Sequence, residues 1–288
     1  MAKNTLPKVM ALSLSTWRRD SGIHTQTDLF KFWDPDRVAQ IYLKSDLPDT
    51  PVCSRFFQIS ENAVIKSVIN RRAVGREVGN STAVDIDTQR SIEAEKALYK
   101  YAHKKKNWFL TVVRELIWKT GRWKSKALHE FIMDVDADVY FVPIYPVVYT
   151  GWIQLHILKI HPKPYVCYLA DDNYSYASCG KNIWAYIHRW MLRRVVKKLA
   201  TNCTEMFTIT QIEGDETDRD FGTKSVVLTK GIDYSNLEFD DRPPHRPIQM
   251  VYTGNLLIGR STSLVEISKA MANINKNETK IVFDIYTP

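Results

Sequence analysis

The hydrophobic positions of this chain follow two rhythms. Short, largely apolar runs at Val9–Leu14, Val38–Leu43, Arg55–Ile59, Asp138–Val142, Tyr165–Leu169, Met206–Ile209 and Val226–Leu228 carry no helical period and predict buried strands. Between them lie segments whose apolar residues recur three and four apart. A helix is expected to begin near His24–Thr27, with Leu29, Phe30 and Trp33 on its buried side. Others are expected over Asn62–Val78, Gln89–His103 and Tyr149–Ile160. Over Ile183–Leu199 the stripe is Trp184, Ile187, Met191, Val195 and Leu199, with Arg189, Arg193, Arg194, Lys197 and Lys198 on the remaining surface. Strands alternating with helices predict an α/β fold whose parallel sheet is covered on both faces. Ligands in such sheets bind at the carboxyl ends of the strands.

A boundary falls within Ser225–Arg260. Lys230-Gly231-Ile232-Asp233 follows the Val226–Leu228 strand as a turn, and Asp240–Pro247 is a charged, proline-rich stretch with no apolar residue. A fresh strand starts at Ile248–Tyr252, and Ser263–Asn275 supplies a helix with Leu264, Ile267, Met271 and Ile274 on one face. The expected organisation is a Rossmann-like domain over 1–235, a linker over 236–247 and the start of a second Rossmann-like domain over 248–288.

At 288 residues the chain can bury a large core, and its composition is that of an ordinary soluble globular protein. A formal charge of +8 implies an anionic partner without choosing among nucleic acid, acidic lipid and a phosphorylated small molecule. Much of it is local: Lys100–Lys126 holds nine Lys or Arg against one Glu, interleaved with Trp108, Phe109, Trp118 and Trp123. This is either the solvated face of a core helix or a surface for anionic lipid headgroups; nucleic acid is the least favoured of the three. Cys53, Cys167, Cys179 and Cys203 are widely spaced, so neither a zinc site nor a disulfide framework is signalled, and a reducing cytoplasm is the simpler compartment. Val139–Leu158 is uncharged, but Pro143, Pro146, Gly151, Gln154 and His156 break it as a membrane span.

Three loops fall where a parallel sheet presents ligands: Ser15–His24, Asp171–Tyr176 and Thr253–Arg260. In the third, Gly254 permits close backbone approach, Asn255 follows it, and Arg260 at a helix start can grip phosphate with paired hydrogen bonds. A glycine turn flanked by arginine is most often only a turn. Asp171 and Asp172 can accept hydrogen bonds from sugar hydroxyls, or serve merely as caps and turns. Ser15, Gly22 and His24 are the candidates in the first loop. No G-x-G-x-x-G, P-loop, H-E-x-x-H or G-x-S-x-G occurs, which removes the usual basis for dinucleotide oxidoreduction and P-loop hydrolysis. No metal site and no catalytic residue is assigned.

Met206–Asp233, MFTITQIEGDETDRDFGTKSVVLTKGID, resembles the closing segment of the first domain of GT-B glycosyltransferases of the family 4 kind. In those a helix ends in Phe-Gly or Tyr-Gly and an apolar strand ends in Asn-Gly-Val-Asp. Phe221-Gly222 and Lys230-Gly231-Ile232-Asp233 hold those places here, with Lys230 departing from the usual Asn. Val251-Tyr252-Thr253-Gly254-Asn255-Leu256 with Arg260 is similar to the family's donor-phosphate loop, although Ser261–Ser263 stand where a donor-binding lysine often lies.

The resemblance, concentrated in residues 206–275, implies transfer of a sugar from a nucleotide-diphosphate donor to a glycan or lipid-linked acceptor, without a metal or other cofactor. Gly254, Asn255 and Arg260 would hold the donor phosphates; Ser15, Gly22, His24, Asp171 and Asp172 would face the acceptor side of the cleft. The glycosyltransferase reading places the protein in cell-surface polysaccharide assembly in the cytoplasm, and the basic residues of 100–126 add the expectation of an anionic membrane surface at its inner face, with no nucleic acid. The family's paired glutamates would lie past Pro288, so this chain is expected not to catalyse transfer unaided. The alternative is a non-catalytic sugar- or partner-binding protein.

Overall fold

The computed structural model describes residues 6–19, 24–79, 92–93, 107–229, 245–256 and 259–287. Gly22, nearly all of the Gln89–His103 segment, residues 100–106, the Lys230–Asp233 turn and most of the Asp240–Pro247 linker lie outside the described residues. The chain divides into two compact units, Met1–Gly231 and Ile232–Pro288.

In the first unit, eight strands form one sheet: β1 (Val9–Ser13), β2 (Val38–Tyr42), β3 (Arg55–Gln58), β4 (Arg76–Val78), β5 (Val139–Pro143), β6 (Tyr165–Leu169), β7 (Glu205–Thr208) and β8 (Ser225–Val227). Their order is β4-β3-β2-β1-β5-β6-β7-β8, and every neighbouring pair is parallel except β3 with β4. Among the described residues its helices are α1 (His24–Leu29), α2 (Glu61–Asn70), α3 (Trp108–Thr120), α4 (Lys126–Val135), α5 (Val148–Ile160), α6 (Ile183–Ala200) and α7 (Gln211–Phe221).

Alternation along the strands sorts the core into two layers. Met10, Leu12, Ile41, Phe57, Val142 and Cys167 pack under helices α2 to α6. Val9, Ala11, Tyr42, Phe56, Phe141 and Tyr168 pack on the opposite face against Trp17 and Phe30. Phe30 stacks on Trp17 at 5.4 Å and meets Phe141 edge-on at 5.2 Å, which anchors α1 to the sheet. Burial on both faces is why these strands are unbroken apolar runs rather than alternating ones.

Several boundaries differ from the sequence expectation. The helix expected over Asn62–Val78 stops at Asn70: the Ser60 hydroxyl accepts the Ala63 N–H at its start, and Arg71 adopts φ 55° at its end. The chain then returns as β4, pairing antiparallel with β3. The basic stretch around Trp118 and Trp123 is two helices, broken at Gly121 and restarted by the Ser125 cap. Trp118 and Trp123 are core residues, the latter donating its indole N–H to the Trp118 carbonyl at 2.8 Å. The buried stripe of α6 is rotated from the expected one: Ala185, His188, Leu192, Val195, Val196 and Leu199 face inward, and Trp184 is exposed. Arg189, expected on the surface, is buried and donates to the Asn173 and Ser178 carbonyls.

The second unit contains β9 (Ile248–Thr253), α8 (Arg260–Ile274) and β10 (Ile281–Tyr286), with β9 and β10 parallel over their whole length. This is one βαβ crossover. Leu264 and Met271 of α8 are buried, while Ile267 and Ile274, expected on the same face, are exposed because two strands cover only a narrow strip of the helix. Among the described residues no helix is long and apolar enough to cross a membrane; the uncharged run Val139–Leu158 is divided between β5, a loop and α5.

Candidate functional site

The strand order reverses direction between β1 and β5, and there the sheet opens. Pairing of β1 with β5 stops at Ala11 and Phe141, although β1 continues to pair with β2 as far as Ser13. Gln154 of α5, buried, donates its amide to the Leu12 and Pro143 carbonyls, each at 2.9 Å, and so ties the separating strand ends across the gap. A switch point of this kind is where open α/β sheets bind ligands.

The loop after β1 and the loop after β5 meet over this crevice. The Trp17 indole N–H and the Tyr145 hydroxyl both reach the Gln26 carboxamide: Trp17 Nε1 lies 3.2 Å from Oε1, and Gln26 Nε2 lies 3.2 Å from the phenol oxygen. Burial pushes the Tyr145 phenol up, against the side chains of Gln26 and Ser13 and the Leu14 backbone, so it stays a neutral donor and acceptor. The loop's start is held by Gln40, whose carboxamide oxygen accepts from the Thr16 hydroxyl and the Trp17 N–H and whose NH2 donates to the Ser15 carbonyl, all at 3.3 Å.

An anion at this crevice would normally be met by the N-terminus of the helix after β5. Here that position is filled. The buried Glu115 carboxylate accepts the Val148 N–H at 3.0 Å and the Tyr149 N–H at 2.7 Å, and His188 stands 3.1 Å from it. Next to it Arg114 forms a paired ion bridge with buried Glu61 and donates to the Tyr149 hydroxyl at 2.9 Å. The switch point is therefore lined by neutral groups bonded to one another rather than by a free helix end.

Further along the edge, Asp171 and Asp172 follow β6, both exposed. Asp172 is a turn residue in part, since its carboxylate accepts the Ser175 N–H at 2.9 Å. Opposite them, in the first turn of α7, stands Glu213. Thr210 caps that helix by accepting the Glu213 N–H at 3.2 Å, yet among the described residues the buried Glu213 carboxylate oxygens and the Tyr168 hydroxyl near them have no well-formed hydrogen bond. Burial pushes Glu213 up to about 7 against the opposing Ile209 backbone, with Asp171, Asp172 and Glu216 adding smaller repulsions. A carboxyl group in that range can gain or lose a proton near neutral pH, as acid–base chemistry requires.

Of the residues singled out from sequence, Ser15 takes part through its backbone carbonyl, and Asp171 and Asp172 lie together near Glu213. His24 opens α1, with its side chain outside the described residues, and Gly22 lies outside them altogether. In the second unit, the Gly254 N–H donates to the Tyr286 carbonyl at 3.0 Å, and Asn255 Oδ1 accepts from Arg260 at 3.3 Å. Gly259 precedes Arg260 with φ 77°, a conformation that favours glycine and lets α8 begin there without a side-chain cap. Sequence reasoning missed Gln26, Tyr145, Gln154, Glu115 and Glu213. Glu115 had a signal, being the only acid in the basic run 100–126. Glu213 was masked by its spacing from Thr210, which is that of an ordinary capping box. Among the described residues no group of three His, Cys, Asp or Glu side chains converges as metal ligands would.

Together the two units define an α/β protein with a large, mostly parallel, Rossmann-like sheet and a separate βαβ unit. In comparisons with known proteins, no family model and no curated relative matches this chain.

Proposed function

We propose that the protein is a glycosyltransferase of the GT-B kind, moving a sugar from a nucleotide-diphosphate donor to a glycan or lipid-linked acceptor. The observation that carries the proposal is the Asn255–Arg260 pair at the first turn of α8, directly after a parallel strand. A guanidinium there, at the positive end of the helix dipole, suits a diphosphate. The acceptor would use the carboxyl edge of the first unit, where buried Trp17 and Gln26 and half-buried Tyr145, hydrogen-bonded to one another, form an uncharged floor to the switch point. The Glu115 cap on α5 supports this division, because it leaves that helix end unsuited to a second phosphate site. Stabilisation of the departing diphosphate by Arg260 would be the electrostatic part of catalysis.

Calorimetric titration of the chain with UDP, GDP, ADP and dTDP, each compared with its monophosphate, tests the donor half. One diphosphate is expected to bind more tightly than its monophosphate. Absence of any such preference would overturn the proposal and leave a non-catalytic binding protein.

A further inference from the structure

The N-terminal halves of α3 and α6 lie side by side, and both carry large apolar side chains outward. Phe109 and Leu110 of α3 and Ile183, Trp184, Tyr186 and Trp190 of α6 are each between 38% and 67% exposed. They form one patch: Phe109 meets Trp184 edge-on at 5.0 Å, and Tyr186 stacks with Tyr176 of the preceding loop at 6.3 Å. The patch is not the unfinished side of a core. Ala185, His188, Leu192 and Val196 of α6 and Val112, Glu115 and Trp118 of α3 are the buried residues, so the inward faces are already satisfied. An exposed cluster of this size on an otherwise well-packed unit marks an interaction surface.

Charge selects the partner. On the outward line of α6, Ile183, Tyr186 and Trp190 are followed at the same helical spacing by Arg194 and Lys197, with Lys198 beside them, all three exposed. The Arg194 guanidinium lies over the Trp190 ring at 4.8 Å, so the apolar and cationic parts are continuous. No acidic residue occurs anywhere in Ile183–Ala200, and the whole chain carries +8. Indole and phenol rings that end in a cationic rim fit the boundary between acyl chains and negatively charged headgroups.

We infer that the α3–α6 face is a docking surface for an anionic phospholipid bilayer. Trp118 and Trp123 of the basic segment are buried and take no part. Because α6 leads back from the end of β6, its N-terminus stands at the carboxyl edge of the sheet, the edge that holds the switch-point crevice. Docking would bring that edge to the membrane surface, where the headgroup of a lipid-linked acceptor could enter it. The placement of the acceptor rests on the transferase proposal; the docking itself does not.

Flotation with phosphatidylcholine vesicles, with and without phosphatidylglycerol, tests the docking with no nucleotide or acceptor present, so its outcome is independent of diphosphate binding. The chain is expected to float with the anionic vesicles, and more weakly as salt is raised. Arg194→Ala/Lys197→Ala/Lys198→Ala is expected to weaken partitioning on the order of 100-fold, about fivefold per cation. Ile183→Ser/Trp190→Ser is expected to lower it at least 10-fold, with circular dichroism unchanged for both variants. Failure to float with anionic vesicles, equal flotation with neutral ones, or unchanged flotation of both folded variants would overturn the inference. So would a concentration-dependent dimer abolished by Ile183→Ser/Trp190→Ser, which would assign the face to a second copy of the chain.

Discussion

Glu115 and His188 stand 3.1 Å apart on neighbouring helices, and the same carboxylate closes the first turn of a third helix through the Val148 and Tyr149 N–H groups. One buried side chain thus fixes α3, α5 and α6 relative to one another above the crevice. Removing it strands two backbone donors and a buried imidazole. Glu115→Ala is expected to cost about 3 to 5 kcal/mol in urea unfolding, as loss of one partner from a buried polar pair does. His188→Ala, which leaves the carboxylate its two N–H donors, is expected to cost less, about 1 to 3 kcal/mol.

The close approach of α5 to α6 depends on a missing methyl group. A Cβ at Gly151 would lie 2.2 Å from Val195 Cγ1, well inside contact distance, and Val195 is a core residue with little room to retreat. Gly151→Ala is expected to destabilise by about 1 to 3 kcal/mol despite the gain in helix propensity. Combining it with Val195→Ala should recover part of that loss. A double-mutant cycle by chemical unfolding reads the coupling, and strictly additive costs would show that the contact is not the cause.

Much of the sheet was legible because both of its faces are buried: strands such as Tyr165–Leu169 then appear as apolar runs that nothing else imitates. The rotation of the α6 stripe was not legible. Arg189 and His188 belong to the buried face, the first donating its terminal nitrogens to carbonyls and the second meeting Glu115, and no hydropathy pattern places a cation and an imidazole inside. In the same way Trp184 and Trp190 count as core by residue type, and only the packing shows that they point outward. The candidate loops after β1 and β6 follow from topology, since the carboxyl ends of parallel strands must lie at one edge. Which side chains meet there depends on contacts such as Gln26 to Tyr145, across 119 positions of sequence, and short-range spacing carries no trace of them.

The Asn255–Arg260 contact gives a graded test of the second unit. Arg260→Ala removes the charge and is expected to weaken diphosphate affinity about 10- to 100-fold, the range for a lost charged hydrogen bond. Asn255→Ala keeps the guanidinium but frees it from its 3.3 Å partner, so a smaller loss, roughly 3- to 10-fold, is expected. Equal losses in calorimetric titration would mean that Asn255 contacts the ligand itself.

Glu213 supplies a pH signature. Its folded-state value of about 7 lies above its ordinary value of 4.5, so between these limits the folded state holds a proton that the unfolded chain has released. Stability from this group is therefore full below about 4.5 and is lost as pH rises through about 7. Glu213→Gln cannot ionise and should escape that loss. At pH 8 the variant is expected to be more stable than the parent by about 1 to 2 kcal/mol, once solvent screening at this half-buried position is allowed for. At pH 4 the two should nearly coincide. Urea titrations of both proteins across this range check the expectation. A gap that stays constant with pH would mean that Glu213 is not the titrating group, and a gap that widens toward low pH would reverse the sign of its shift.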